Sequence, residues 1–514
     1  MRHLLLLLFI CTATLGFGQK MRFKVAGLKD TTVYLTRYYG KGLYYADTAI
    51  SKAGVIEFDT KNLKPGMFAL YMPGQKYFEF IVNNNEEISI ETADTNLVGQ
   101  MKVKKSEENK VFVTYVQFLQ EQRVKATALK AKQEKLKEKE DWELDQVIKG
   151  QYDLLTKQLE VISKGVLAYQ DSIIKLHDQK LVSKIIKMSV DVKIPDAPKN
   201  EKGEVIDHMW QLNYYRKHFW DNIDLNDDRL VNTPVFHQKT EFFYGKTMVV
   251  PHPDSILAAA FPFIDGLKKG SEVFKYQVDY LTNWAAKSNQ MGIDKVYVLM
   301  VERYYCTRDE SGKSPAFWMT EEKLKSACED IPVKRRILQG MVPPKITLPD
   351  TNNVWRSFMD LKSDYTILYF WDPECGHCKK VTPKLQKLYA EKLKARNVEV
   401  FSVGKATGDD YEKWKKFIKD NGLSFINVAL TQKLYEAALQ DARQFVPKYT
   451  NIESLNYSTT YDLYATPRII VLDKDKKIIA KQLTISQLED MLDRLQEIKD
   501  PVKLFPPDPE EEAH

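Results

Sequence analysis

The 514 residues carry a formal net charge of +6, from 76 lysines and arginines against 70 acidic residues, and 44% of them are hydrophobic. That length implies several domains, each large enough to bury a core. The charges are interspersed, without an arginine-rich face or an aromatic-basic ladder, so no nucleic acid partner is expected, and five cysteines are too few for a disulfide-stapled scaffold.

Met1-Arg2-His3 is a short basic start, Leu4 to Thr14 is apolar, and Gly16-Phe17-Gly18 supplies the small residues that a signal peptidase reads. Residues 1–18 are therefore expected to be a signal peptide cleaved near Gly18/Gln19, which sends the mature chain to the periplasm. The apolar run is short for a transmembrane helix. An envelope lipoprotein lipidated at Cys11 is the alternative, against which the bulky Phe9-Ile10 pair counts.

Residues 19–100 read as a small β-sandwich-like domain. Phe23-Lys24-Val25, Thr32 to Leu35, Val55 to Phe58, Met67 to Tyr71, Tyr77 to Val82 and Ile88-Ser89-Ile90 are short strand-like runs, punctuated by Gly40, Lys41-Gly42, Lys64-Pro65-Gly66 and Asn83 to Asn85. Tyr38, Tyr39, Tyr44 and Tyr45 either line a ligand groove or serve as core and surface tyrosines. Scaffolding or partner docking is the role expected of this domain.

Residues 101–190 change to a helical pattern. Val111, Tyr115, Phe118 and Leu119 recur at helical intervals, Lys125 to Asp145 is rich in lysine, glutamate, alanine and leucine, and Leu154 to Ile186 regains an apolar stripe. An extended helical pair or short coiled coil follows, and such an arm offers a way to form a homodimer. After the polar connector Asp191 to Lys202, residues 191–340 read as a mostly helical module. Its apolar-periodic segments lie at Ser255 to Leu267, Glu272 to Ala286 and Val296 to Tyr305. His208, His218, His237 and His252 lack close ligand spacing, so no metal site is expected. Cys306 and Cys328 either pair in an oxidising compartment or stay as two reduced thiols; their spacing does not choose.

Residues 341–500 alternate apolar strands with longer helices, as in an α/β sheet covered on both faces. Strands are expected at Tyr365 to Phe370, Val398 to Val403, Ile426 to Ala429, Ile469 to Asp473 and Lys477 to Lys481. Helices are expected at Pro383 to Ala395, Asp409 to Asp420 and Thr484 to Ile498, with Trp414, Phe417 and Ile418 as a packing stripe. Residues 501–514 read as a disordered acidic tail.

Between the first strand and first helix of this region lies Trp371-Asp372-Pro373-Glu374-Cys375-Gly376-His377-Cys378. A dithiol at the start of a helix meets unpaired backbone N–H groups and the positive end of the helix dipole, which favour a thiolate. Cys375 is thus the attacking sulfur and Cys378, one turn further on, the resolving one. Half a zinc site is the other use of such a pair, but no second close pair of ligands completes it. No separate cofactor is implied, because the Cys375–Cys378 disulfide is itself the redox group.

This segment resembles the active site of thioredoxin-fold thiol-disulfide oxidoreductases. Trp371 stands four before the first cysteine, Cys375-Gly376-His377-Cys378 is the redox tetrapeptide, and Pro383 falls five after the second cysteine, where the family kinks its first helix. Tyr464-Ala465-Thr466-Pro467 ahead of Arg468 to Leu472 resembles the family's cis-proline loop. The resemblance implies that Pro467 is cis and lies against the dithiol, and that the backbone of Thr466 binds extended substrate. Apart from the resemblance, an imidazole beside the helix start can stabilise the Cys375 thiolate, the role expected of His377, and Trp371 either shields and positions the dithiol or only packs. The region as a whole is similar to the TlpA/ResA-type periplasmic enzymes, and the preceding β-sandwich and helical module resemble those found before exported thioredoxin domains in Bacteroidota. Two departures stand out. Glu374 makes the rim more acidic than is common, and Tyr369 occupies the strand position where the family carries a buried acid, leaving Glu374, Asp372, Lys405 or water to handle the proton.

Three functions are compatible with these residues. An exported oxidoreductase reduces protein disulfides and draws electrons from a membrane electron-donor protein; an isomerase or oxidase uses the same dithiol, favoured by Gly376-His377; and a non-enzymatic envelope assembly or binding protein leaves the dithiol secondary.

Overall fold

A computed structural model describes residues 20–59, 63–83, 86–138, 142–245, 249–499 and 501–507. The expected signal peptide and Cys11 lie outside the described residues. The chain divides into two compact units, one running up to Val249 together with Asp265–Tyr276, the other comprising Val250–Ile264 and everything from Gln277 onward.

The first unit begins with eight strands. In β1 (Lys20–Ala26) Met21, Phe23 and Val25 are buried while Lys20, Arg22 and Lys24 are exposed, the period of two that a half-buried strand requires. It is followed by β2 (Thr32–Tyr39), β3 (Gly42–Ile50), β4 (Val55–Asp59), β5 (Gly66–Met72), β6 (Lys76–Val82), β7 (Ile88–Ala93) and β8 (Lys102–Lys105). Two four-stranded sheets result, in the orders β4-β1-β7-β8 and β3-β2-β5-β6. Phe23 of the first sheet packs with ring centroids 4.8 Å from Phe80 and 5.7 Å from Phe78 of the second, so the sheets bury a common core. Each such ring contributes about 1.5–3 kcal/mol by leaving water. Strand β3 was not expected from sequence, because Tyr44, Tyr45 and Ile50 are exposed and leave no apolar alternation to read. Strand β8 falls in the stretch read as the start of the arm; three lysines among its four residues hide its pairing with β7.

The expected arm is present. Ser106 caps α1 (Glu107–Lys137) by accepting from the Asn109 N–H at 3.0 Å, and Asp145 caps α2 (Gln146–Leu176). The two helices meet through Phe118 against Tyr169, centroids 4.4 Å apart, and through Gln170, which donates to the Tyr115 hydroxyl at 2.7 Å. Buried Glu108 accepts from the Leu181 and Val182 N–H groups, both at 2.9 Å, and so closes the open start of α3 (Leu181–Ser189). Helices α4 (Trp210–His218) and α5 (Pro234–Gly245) follow, then α6 (Pro253–Asp265), α7 (Glu272–Ala286), α8 (Asp294–Val301), α9 (Glu321–Glu329) and α10 (Ile331–Arg336). Cys306 and Cys328 are joined in a disulfide, with Cα atoms 5.7 Å apart. His218 lies 2.7 Å from Asp221 and His237 2.7 Å from the Tyr276 hydroxyl. Among the described residues no group of three or more His, Cys, Asp or Glu could hold a metal ion, and no helix is long and apolar enough to cross a membrane.

The C-terminal α/β region opens with a hairpin of β9 (Thr347–Pro349) and β10 (Trp355–Ser357). Its central strand β11 (Tyr365–Trp371) lies in a five-stranded sheet with β12 (Val398–Ala406), β13 (Ile426–Thr431), β14 (Arg468–Leu472) and β15 (Ile478–Lys481), ordered β13-β12-β11-β14-β15. The first three strands are parallel; β14 runs antiparallel to β11, and β15 to β14. Ile367, Tyr369 and Trp371 enter one core and Leu368 and Phe370 the other, which is why this strand is apolar throughout rather than alternating.

Helix α11 (Gly376–Leu388) starts seven residues earlier than the expected Pro383, which sits inside it. Next come α12 (Asp410–Asp420), α13 (Gln432–Asp441), α14 (Ile452–Leu455), α15 (Tyr457–Thr460) and α16 (Ile485–Leu495). Trp414 is buried, with Phe417 and Ile418 packed beside it. The expected disordered tail is corrected over residues 501–507. Leu504 and Phe505 pack on the core, and buried Glu489 accepts their N–H groups at 3.0 and 3.2 Å and also binds Lys392.

Candidate active site

Strand β11 delivers the chain to a tight turn. Asp372 accepts the Glu374 N–H on its side chain at 2.7 Å and the Cys375 N–H on its carbonyl at 3.2 Å, which fixes Cys375 as the N-cap of α11 with φ −68° and ψ 121°. Its sulfur accepts the Cys378 N–H at 3.5 Å, one of the donors a helix start leaves open. The Thr466–Pro467 peptide is cis, and the Cys375 thiol donates to the Thr466 carbonyl at 3.3 Å. Both cysteines are free; Cys375 is partly exposed and Cys378 completely buried.

This difference in setting separates the two thiols. Burial is the largest influence on Cys375 and favours its neutral form, but the Cys378 backbone and thiol, Thr466 and the His377 N–H together outweigh it and hold Cys375 below the ordinary thiol range. Burial pushes Cys378 up to about 12. Cys378 is therefore held as the thiol at neutral pH, whereas Cys375 is partly exposed and shifted toward the thiolate.

Beneath the pair, the Tyr369 hydroxyl and Thr382 Oγ1 lie 2.7 Å apart, both buried. Burial raises the Tyr369 phenol far above its ordinary range, so it is no base at neutral pH. The carboxylates suggested for proton handling are engaged in ion pairs at the rim. Lys405 sits between Asp372 at 3.2 Å and Asp410 at 3.0 Å, while Glu374 meets Lys413 at 3.3 Å and Lys379 at 3.7 Å.

The Trp371 side chain is 1% exposed, donates from Nε1 to Ser402 Oγ at 2.7 Å and lies against Phe417 with centroids 5.0 Å apart. Gly376 opens α11 at an exposed position where an added Cβ would meet nothing within 4 Å. His377 is partly exposed and, with Val381, Thr466, Pro467 and Gln487, lines a cleft of about 560 Å³. Sequence reasoning brought together the dithiol, His377 and the cis-proline loop. It missed Thr382, whose signal is its place four residues after Cys378 on the same helix face, and Tyr457, a phenol pushed up to about 12 by burial and then by Asp372.

Residues 363–478 match a family described as thioredoxin-like, and residues 20–112 match a domain of unknown function, DUF4369. Over 92 residues the chain is 32% identical to the thiol-disulfide oxidoreductase ResA of Bacillus subtilis, a match covering 18% of this chain and 50% of that protein; the chain thus spans about half the length of the curated relative it matches. Among solved structures, a domain of a possible thiol-disulfide isomerase from Cytophaga hutchinsonii is 33% identical, with 31% of this chain and 95% of that one covered and a TM-score of 0.25. The thioredoxin domain of a thiol-disulfide oxidoreductase from Bacteroides vulgatus is 27% identical, covering 31% and 98%, also at a TM-score of 0.25. With its five-stranded α/β sheet and the dithiol at the head of α11, the C-terminal region has a thioredoxin-like fold and is similar to part of the thiol-disulfide oxidoreductase ResA.

Proposed function

We propose that the chain is an exported thiol-disulfide oxidoreductase that reduces disulfides in protein substrates. The observation that carries this reading is the inequality of the two sulfurs, one exposed and depressed at a helix start beside the cis-proline loop, the other buried and protonated. Cys375 thiolate attacks one sulfur of a substrate disulfide, forming a Cys375–substrate disulfide and expelling the second substrate sulfur as a thiolate. Cys378 then loses its proton and attacks Cys375 Sγ, releasing the first substrate sulfur and leaving the Cys375–Cys378 disulfide. Two electrons pass to the substrate, and its two thiolates take up the protons given by the dithiol. With Tyr369 in place of an acid, the departing substrate thiolate is itself a suitable base for Cys378. Thr466 and Pro467 offer the backbone surface for extended substrate, and His377 favours the Cys375 thiolate. A membrane electron donor would return the pair to its reduced form.

Isomerase activity is the second reading, favoured by the high value of Cys378. A resolving thiol that ionises rarely prolongs the mixed disulfide and gives it time to rearrange. The deciding measurement is the equilibrium reduction potential of the Cys375–Cys378 pair in graded glutathione or dithiothreitol buffers, run beside insulin reduction and refolding of a scrambled substrate. A strongly reducing value with insulin turnover supports the reductase, a value near those of isomerases with refolding activity supports the second reading, and absence of a reversible disulfide overturns both.

A further inference from the structure

The two tyrosines that sequence reasoning left between groove and surface, Tyr39 and Tyr44, line a cavity of about 260 Å³ within the first unit. Arg37 and Tyr39 are two apart on β2, and Arg37 lies directly opposite Tyr44 on β3, so the three side chains stand on one face of the sheet. The Tyr39 and Tyr44 rings are 6.5 Å apart, and Lys275 Nζ lies 5.6 Å over the Tyr39 ring. Tyr38, by contrast, faces the core and donates to Glu79, and Tyr45 is exposed.

The charges around this cavity do not balance. Glu272 is its carboxylate and is shared by Lys64 at 3.2 Å and Lys275 at 3.5 Å. Arg37 lines the same space and is partly buried, and its guanidinium has no hydrogen-bond or ion-pair partner among the described residues. Three cations therefore face one anion. A guanidinium presents five N–H donors in a planar fork that fits two oxygens of a carboxylate or phosphate, and removing it from water without such a partner is unfavourable. The wall beside it is fixed, because Asn232 Nδ2 donates to the Pro65 carbonyl at 2.9 Å and a side chain on Gly66, at φ +154°, would run into Asn232.

We propose that this cavity binds a small organic anion, its carboxylate or phosphate gripped by the Arg37 fork beside Lys275 and its flat or short apolar body laid against Tyr39 and Tyr44. The volume lies just under the usual range for ligand pockets and suits a single ring better than a nucleotide or an oligosaccharide. The excess positive charge selects against cations and against purely apolar molecules, while the tyrosine faces favour a ligand with a flat body. The inference does not depend on the dithiol.

The test is calorimetric titration of the full chain with benzoate, phenyl phosphate and inorganic phosphate, with benzylamine as the cationic control. Saturable one-to-one binding of benzoate or phenyl phosphate, absent with benzylamine and weakened at high salt, is expected; whichever of the two binds more tightly identifies the head group. Arg37→Gln is expected to weaken binding at least about tenfold, and Lys275→Gln by about threefold or more, with insulin reduction unchanged in both. Two variants are used so that a folding defect in one leaves the other decisive, thermal unfolding being the check. Absence of saturable binding by all three anions up to about 10 mM, or retention of full affinity in both variants, would overturn the proposal.

Discussion

The second unit holds two pairs of cysteines in opposite states. Cys306 and Cys328 stand 22 residues apart, one in a π-helical turn and one near the end of α9, and are joined; Cys375 and Cys378 stand three apart across the first turn of α11 and are free. Exposure alone does not separate them, since Cys306, Cys328 and Cys375 are all partly exposed. What separates them is backbone placement. Only Cys375 caps a helix, where an open N–H reaches its sulfur at 3.5 Å, and only Cys378 lies wholly inside a core. A sulfur becomes a nucleophile where open backbone donors meet it, and becomes a crosslink where two separate elements bring it a partner.

The sharpest break of this contrast is Cys375→Ser. Disulfide reduction should fall at least about 10³-fold, because the buried thiol cannot replace it at neutral pH. Cys378→Ser should instead accumulate a mixed disulfide, visible as an added mass on the intact protein. The two sulfurs also act on stability with opposite sign. Cys375, depressed in the fold, stabilises the reduced protein above the unfolded thiol value near about 8.5, and that contribution is lost as pH falls through its folded value. Cys378, raised in the fold, contributes below the unfolded value and loses its contribution as pH rises toward about 12. Denaturant unfolding of reduced wild type and Cys378→Ala at alkaline pH should therefore converge as pH climbs. A difference that widens would contradict the buried assignment.

Removing the other pair should leave chemistry untouched and affect stability instead. Cys306→Ser with Cys328→Ser opens a loop closed across 22 residues, an expected loss of about 3 kcal/mol, read from urea unfolding of the second unit. Insulin reduction should stay at the wild-type rate. A coupled loss of activity at constant fold would show that the disulfide reports to the dithiol.

The contrast also explains what was legible in the chain. The Cys375–Cys378 spacing, Thr466-Pro467 and the apolar run of β11 carry local chemistry, and the structure puts them where local chemistry requires. Pairing of Cys306 with Cys328 depends on two elements meeting in space, which no spacing encodes. The span Pro383 to Ala395 expected for the helix starts seven residues late, although the dithiol is read at a helix start and Pro383 at a kink, and the N-cap at Cys375 bears out those two readings. Helices α13 to α15 bury only short apolar sets, among them Leu434, Leu455 and Tyr461 close by, and so show little period. Residues 501–507 were misread because Leu504 and Phe505 pack on the core once Glu489 accepts their N–H groups, an anchor that composition does not show.

Below the dithiol a smaller effect is expected. Thr382→Val keeps shape but leaves the buried Tyr369 hydroxyl without its partner, an expected loss of about 1–3 kcal/mol in chemical denaturation. Tyr369→Phe with Thr382→Val removes both polar groups and should recover much of it. Failure of the double variant to recover would mean that the pair does more than satisfy itself, for instance by holding Cys378 in register.

The smallest effect belongs to the rim, where charges are half in water. Lys405 bridges Asp372 and Asp410, and Asp372 also shapes the turn that makes Cys375 a cap. Lys405→Gln leaves the Asp372 carboxylate, in the turn that ends at Cys375, without its lysine, which opposes ionisation of the thiol and should move the alkylation midpoint upward. Exposed pairs contribute little, so the rate at neutral pH should fall only about twofold, and the difference should shrink in strong salt. Iodoacetamide kinetics across pH at low and high salt measure both. A large, salt-insensitive loss would show that Lys405 acts through the turn rather than through its charge, whereas no shift at any salt would leave the backbone donors of α11, with the Cys378 thiol and Thr466, to hold Cys375 below the ordinary thiol range.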